Sequence, residues 1–263
     1  MELAGKVAVV TGGARGIGRA LCQRFREEGV RGLVVADLDA EGARRTAEEV
    51  GGLAVATDVA QRSDMAALVE RCLKEFGGVD LFCSNAGVAY SDGPEGTVAS
   101  APEELWEKSW RINVLSHVHA VHACLPAMRD QGGGYFLITV SAAGLLSQIG
   151  SGPYSTTKHA AIGFAEALAI THGDENIGVS VLCPQAVDTR LLDGLEDGGV
   201  AGLDGIMSPA DIADHVVTGL EQESFLILPH PQVLTYLQRK TADYDRWLKG
   251  MRRLRERYLP QKS

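Results

Sequence analysis

No apolar run in this 263-residue chain approaches the ~18 residues that a membrane-crossing helix needs, so no membrane span is expected. Cations are in deficit: 25 lysines and arginines face 34 acids, a formal net charge of −9, which argues against generic nucleic-acid binding. Cysteine is sparse and shows no pairing pattern. Cys22, Cys72, Cys83, Cys124 and Cys183 form no C-x-x-C and are odd in number, so they read as small buried residues of a reducing compartment. The start, MELAGKVAVVTGG, lacks a basic n-region and a cleavage signal, so secretion is not expected and a cytoplasmic location is. Low-complexity tracts, internal repeats and linkers are missing as well. The length and ordinary composition suit one large α/β domain covering 1–263.

What is present is alternation. Strand-like runs at Val7–Val10, Leu33–Ala36, Leu53–Ala56, Val79–Ser84, Tyr135–Val140, Val179–Cys183 and Phe225–Leu228 are separated by helical patterns. Those patterns fall at Ile17–Glu28, Glu41–Val50, Asp64–Phe76, Pro102–Asn113 and on to Arg129, and Tyr154–His172. Continuous apolar strands between helices predict a parallel, doubly wound sheet of about seven strands, covered on both faces. Two stretches break the pattern. A segment at about 190–207, including DGLEDGGVAGLDG, is too long and irregular for a tight connection and reads as a lid or a solvated loop. The tail at about 240–263 is basic, with Trp247, Leu248, Leu254 and Leu259 among its cations. It reads as a helix packed on the domain or on a partner subunit, in preference to one lying on a membrane.

Chemistry enters with VAVVTGGARGIGRAL. Gly12, Gly16 and Gly18 stand between a strand and a helix, where unpaired N–H groups and the helix dipole suit a pyrophosphate and glycine lets the backbone approach it. Asp37 ends the next strand, nineteen residues after Gly18, where a carboxylate can hold the two hydroxyls of an adenosine ribose. Further on, SGPYSTTKHAAIGF sets Tyr154 and Lys158 at i and i+4 on one helical face. A free phenol, with a pKa of about 10, is a poor base near neutral pH, and bringing it to about 7 requires roughly 4 kcal/mol of phenolate stabilisation. An ammonium one turn away, with an oxidised nicotinamide nearby, is the neighbour that supplies it.

From Gly5 to about Pro229 the sequence resembles the short-chain dehydrogenase/reductase family, on several motifs in family order. They are TGGARGIG, TDVA, SNAG with Ser84 where the family has asparagine, RINVLSH, ITVSAAG and YSTTK. The resemblance implies a Rossmann-type fold and a tetrad of Asn113, Ser141, Tyr154 and Lys158, with Ser141 thirteen residues before Tyr154. In that tetrad Tyr154 is the general acid/base, Ser141 binds the substrate oxygen, Lys158 also binds the nicotinamide ribose, and Asn113 holds a water linking Lys158 to solvent. For the dinucleotide it implies Gly12, Arg15, Gly16, Ile17 and Gly18 around the pyrophosphate. Asp37, Asp58 and Val59 serve the adenosine, Asn85, Ala86 and Gly87 the SNAG turn, and Pro184, Val187 and Thr189 the carboxamide.

The expected activity is hydride transfer between NAD and a mainly apolar secondary alcohol or ketone. An NADPH-dependent ketoreductase and a non-enzymatic dinucleotide sensor are the alternatives. Asp37 repels a 2′-phosphate, whereas Arg15 inside the glycine loop is placed to meet one. Gln185 departs from the family's P-G and either binds substrate or narrows the pocket. Leu145 and Gln148 are the other substrate candidates. His117, His119, His122 and Cys124 cluster in HVHAVHAC, but with no H-E-x-x-H and no nearby carboxylate no metal is expected. The resemblance also implies a homo-oligomer, a tetramer or dimer.

Overall fold

The computed structural model describes residues 1–93, 96–194 and 196–258. Residue 195 of the glycine-rich segment and the end of the tail from 259, Leu259 included, lie outside them. Seven parallel strands form one sheet in the order β3-β2-β1-β4-β5-β6-β7. They are β1 Val7–Thr11, β2 Gly32–Asp37, β3 Leu53–Ala56, β4 Leu81–Ser84, β5 Gly134–Thr139, β6 Ile177–Leu182 and β7 Leu226–Ile227. The helices between them are α1 Gly16–Glu27, α2 Ala40–Val50, α3 Arg62–Phe76, α4 Glu103–Trp110, α5 Ser116–Asp130, α6 Gly152–His172 and α7 Pro209–Glu221. Two more, α8 Gln232–Ala242 and α9 Tyr244–Tyr258, follow the last strand.

The strands are apolar on both sides because helices bury both faces. Val7 and Val9 of β1 point into one core with Met65, Phe82, Phe136 and Ala161. Ala8 and Val10 point into the other with Leu21, Phe25, Leu33, Leu137 and Ile212. Phe25, Phe82 and Phe136 are fully buried, each contributing about 1.5–3 kcal/mol by leaving water. Local signals agree with these elements. Asp39 caps α2 by accepting from the Gly42 N–H, and Gly51 ends that helix at φ 61°.

Most boundaries fall within two residues of the sequence expectation, and the differences have local causes. The fourth strand starts at Leu81 instead of Val79, because Asp80 turns its carboxylate onto the Val7 N–H at 2.7 Å. The last strand keeps only two residues. The long helix after Pro102 is interrupted by a π turn at Arg111–Leu115, which contains Asn113. Helices α7 and α8 were not anticipated. For α7 the signal was there: Ser208 and Asp211 form a capping box around Pro209 in the first turn.

Candidate active site

The strand order reverses between β1 and β4, the place where open parallel sheets hold ligands at their carboxyl ends. Asn85 knits this point together. Its backbone N–H donates to Thr11 Oγ1 at 2.9 Å, its Nδ2 donates to the Thr11 carbonyl at 3.0 Å, and its Oδ1 accepts from Thr139 Oγ1 at 3.0 Å. Ser84, where the family has asparagine, meets His117 Nδ1 at 2.7 Å inside the core. Burial, with Lys158 nearby, lowers the His117 pKa to about 3, so this ring is neutral near neutral pH.

The residues around α1 fit a dinucleotide pyrophosphate. No side chain caps the helix at Arg15, so its first N–H groups face outward unclaimed by any described side chain. A Cβ on Gly18 would stand 2.1 Å from the Gly12 carbonyl oxygen, and one on Gly12 (φ 68°) would stand 3.0 Å from the Ala86 backbone. Ile17 packs against the core from the same turn. Thr189 approaches this loop, since a Cβ on Gly16 would meet its methyl at 3.1 Å. Pro184 accepts from the Ala142 N–H at 2.8 Å, and Val187 is buried and bridged to Met207.

At the end of β2 both Asp37 carboxylate oxygens are fixed by backbone. Oδ2 accepts from the Ala14 N–H at 3.0 Å and Oδ1 from the Asp39 N–H at 2.9 Å. Arg15 turns away from a free role and donates to Asp39 Oδ2 at 2.8 Å. Asp39 is the partner of Arg15 that the sequence did not reveal; only its charge and its helix-capping position hinted at it. Asp58 accepts from the Ala60 N–H at 3.0 Å, and Val59 is buried beside it.

Asn113, Ser141, Tyr154 and Lys158 converge from the π turn, the end of β5 and the first turns of α6. Asn113 clamps residue 88, accepting from its N–H and donating to its carbonyl, both at 2.9 Å, and donates to Thr157 Oγ1 at 3.1 Å. Lys158 is buried, donates to the Thr139 carbonyl at 3.0 Å, and sits 5.5 Å from the centre of the Tyr154 ring. Burial lowers its pKa to about 8, so it is an ammonium below that pH. Burial pushes the Tyr154 phenol up, and its hydrogen bond with Ser141 opposes that. A Cβ on Gly87 would stand 3.4 Å from both Asn113 Oδ1 and Lys158 Nζ, so the SNAG turn closes over this group.

A cavity of about 720 Å³ opens at Ser141. Leu146, Ser147, Gln148 and Gln185 border it from the sheet side, and α8 and α9 form the opposite wall through Tyr236, Trp247 and Met251. Leu145, a substrate candidate by sequence, packs into the core instead, and its neighbour Leu146 borders the cavity. Gln185 Nε2 donates to Asp204 Oδ2 at 3.0 Å, and the Tyr236 hydroxyl donates to Asp204 Oδ1 at 3.0 Å. The glycine-rich segment therefore packs onto the cavity as a wall, through Val200, Ala201 and Asp204. The described part of the basic tail, up to residue 258, packs on its own chain. Buried Lys240 ties α8 to the site, donating to the Leu145 carbonyl at 2.6 Å and standing 3.3 Å from His159 Nε2.

Ser147, on the cavity edge, holds φ at 102°, a region that favours glycine. Replacement of Ser147 by glycine is expected to raise the unfolding free energy by about 1 kcal/mol, read from the urea midpoint at unchanged slope. The histidines of α5 diverge: His117 faces Ser84 and His119 faces the Val59 carbonyl at 3.2 Å. Among the described residues no three histidine, cysteine or acidic side chains lie close enough together to hold a metal ion. Nor is any described helix long and apolar enough to cross a membrane.

A family model described as short chain dehydrogenase matches residues 6–198. The chain is 33% identical to a 1-deoxy-11-beta-hydroxypentalenate dehydrogenase of Streptomyces exfoliatus, over 86% of this chain and 84% of that one. It is 30% identical to a 3beta-hydroxysteroid dehydrogenase 2 of Eggerthella lenta, over 76% and 78%. The structure superposes on a short chain dehydrogenase/reductase from Burkholderia phymatum in complex with NAD, with a TM-score of 0.84 and 28% identity, over 93% of this chain and 96% of that one.

Proposed function

Because the chain belongs to the short-chain dehydrogenase/reductase family, whose members bind a nicotinamide dinucleotide, we propose that it oxidises or reduces a mainly apolar secondary alcohol or ketone with NAD as its partner. The observation that carries the reading is the convergence of Tyr154 and Lys158 on Ser141, which itself borders a cavity with much apolar surface. Bound NAD supplies the hydride acceptor. The protein's own part is proton handling and orientation. Ser141 accepts from the Ala143 N–H at 3.1 Å, which fixes its hydroxyl beside the phenol, where it can donate to the substrate oxygen. Tyr154 takes the hydroxyl proton of the alcohol, and the ammonium of Lys158 stabilises the phenolate so formed. Asn113 holds the chain at residue 88 and so keeps the wall behind Lys158 in place.

NAD in preference to NADP follows from Asp37 and from the engagement of Arg15 by Asp39. The relatives named for a hydroxypentalenate and a hydroxysteroid support a hydroxylated substrate with a bulky apolar body. A cytoplasmic location fits the five free, buried cysteines. Self-association belongs to the same reading: Ile170 on the outer face of α6 is 84% exposed, and sedimentation at micromolar concentration reads the assembly. The activity itself is tested with a panel of cyclic and aliphatic secondary alcohols, each offered NAD and NADP. Reduced cofactor is expected with NAD and at least one bulky alcohol. No turnover of any member, with NAD still bound, would favour the sensor alternative.

A further inference from the structure

The cavity wall supplied by the tail is not merely apolar. Arg239 of α8 and Arg246 and Arg253 of α9 all border it, beside Trp247, Met251 and Leu254. Arg246 and Arg253 are seven residues apart, so they stand two turns apart, about 10 Å, on one face of α9. Arg239 lies over the Tyr236 ring, 5.9 Å from its centre. All three residues are exposed, and among the described residues none of their guanidinium groups makes an ion pair or a hydrogen bond.

The two carboxylates of the same cavity accept from neutral donors and, among the described residues, pair with none of the three arginines. Asp204 accepts from Gln185 and Tyr236, and Asp243 accepts from the Arg246 N–H at 2.9 Å as it starts α9. A chain with a net charge of −9 thus places three guanidinium groups, unpaired with any acid among the described residues, along one side of the space that opens at Ser141. A purely apolar alcohol leaves them unused. Guanidinium groups bind carboxylate and phosphate oxygens with paired, charge-assisted hydrogen bonds, and apolar surface beside them reduces competition from water.

Deepening the functional reading and resting on it, we infer that the substrate is amphiphilic: an apolar body lies against Trp247, Met251 and Leu254, and an anionic headgroup, carboxylate or phosphate, is held by Arg246 and Arg253. The basic tail is then a substrate-specificity element of the site. The reacting carbon lies at the Ser141 end of the cavity, and the anion lies along the α9 wall.

Calorimetric titration of the protein with octanoate, octyl phosphate and 1-octanol, with and without saturating NAD, tests this directly. The three probes share one apolar chain and differ in the head. The wild-type protein is expected to bind at least one of the two anions about tenfold or more tighter than the alcohol, and the tighter anion names the head. The double variant Arg246→Met, Arg253→Met is expected to lose that preference while keeping its affinity for 1-octanol and for NAD, which also shows that it is folded. Equal binding of all three probes, binding of none, or an undiminished preference in the double variant would overturn the inference. Failure of the dehydrogenase reading would look different: no reduced nicotinamide with any alcohol, whatever the octanoate titration shows.

Discussion

Replacing Tyr154 by phenylalanine is expected to lower kcat/KM for alcohol oxidation by at least about 100-fold, the usual scale for loss of a general base, while NAD affinity stays nearly unchanged. The change removes one oxygen. Ser141 keeps the Ala143 N–H and the Pro184 carbonyl, at 3.1 and 3.4 Å, so no buried group loses its last partner. Lys158 keeps the Thr139 carbonyl at 3.0 Å. The fold and the dinucleotide cradle around Gly12 and Gly18 are untouched, so the loss falls on proton transfer alone. Steady-state kinetics paired with NAD titration checks this, and a variant retaining more than a few hundredths of the activity would take the general-base role away from Tyr154.

The second large effect concerns the choice of cofactor. The wild-type enzyme is expected to prefer NAD over NADP by roughly 30- to 1000-fold in kcat/KM. Two like charges about 4 Å apart repel by about 1 kcal/mol in water and several-fold more at a half-buried site, and Asp37 also loses its ribose hydroxyl partners when the 2′ position is phosphorylated. Replacing Asp37 by serine should therefore raise NADP use and lower NAD use. The sequence suggests that Arg15 would complete the switch. In the structure Arg15 is occupied by Asp39, itself held by the Gly42 N–H at 3.0 Å. Asp37→Ser alone should then give a partial shift, and Asp37→Ser with Asp39→Asn a larger one, because it frees Arg15 for the phosphate. The ion pair is exposed and weak, so the added gain is expected to be about tenfold or less. Equal use of both cofactors by the wild type, or no shift in either variant, would show that Asp37 does not read the ribose.

The parts of this molecule legible in the sequence are those coded locally. The glycine loop, the strand-ending Asp37 and the Tyr154–Lys158 spacing each follow from one turn of backbone geometry. The parallel sheet follows from uninterrupted apolar strands such as Val7–Thr11. What the sequence hid are contacts between distant segments. Lys240 reaches the Leu145 carbonyl across 95 residues, and Arg255 donates to the Gly96 carbonyl across 159. Nothing in the local pattern of the tail says that its helices turn back over the cavity, because α9 reads as an amphipathic basic helix wherever it packs. The pairing of Arg15 with Asp39 was hidden for the same reason: charge alone does not reveal which acid a loop arginine meets. The π turn at Asn113 has no sequence signature of its own.

The central claim is that this chain moves a hydride between NAD and a secondary alcohol, with its own phenol as the base. Single-turnover absorbance of reduced nicotinamide tests it most directly, with enzyme in excess over NAD and a set of bulky secondary alcohols, with and without a carboxylate. The account predicts stoichiometric appearance of reduced cofactor with the wild-type protein, faster as pH rises toward the range where the phenol deprotonates, and almost none with Tyr154→Phe. A wild-type protein that binds NAD tightly yet forms no reduced cofactor, or a phenylalanine variant that forms it at the wild-type rate, would contradict it.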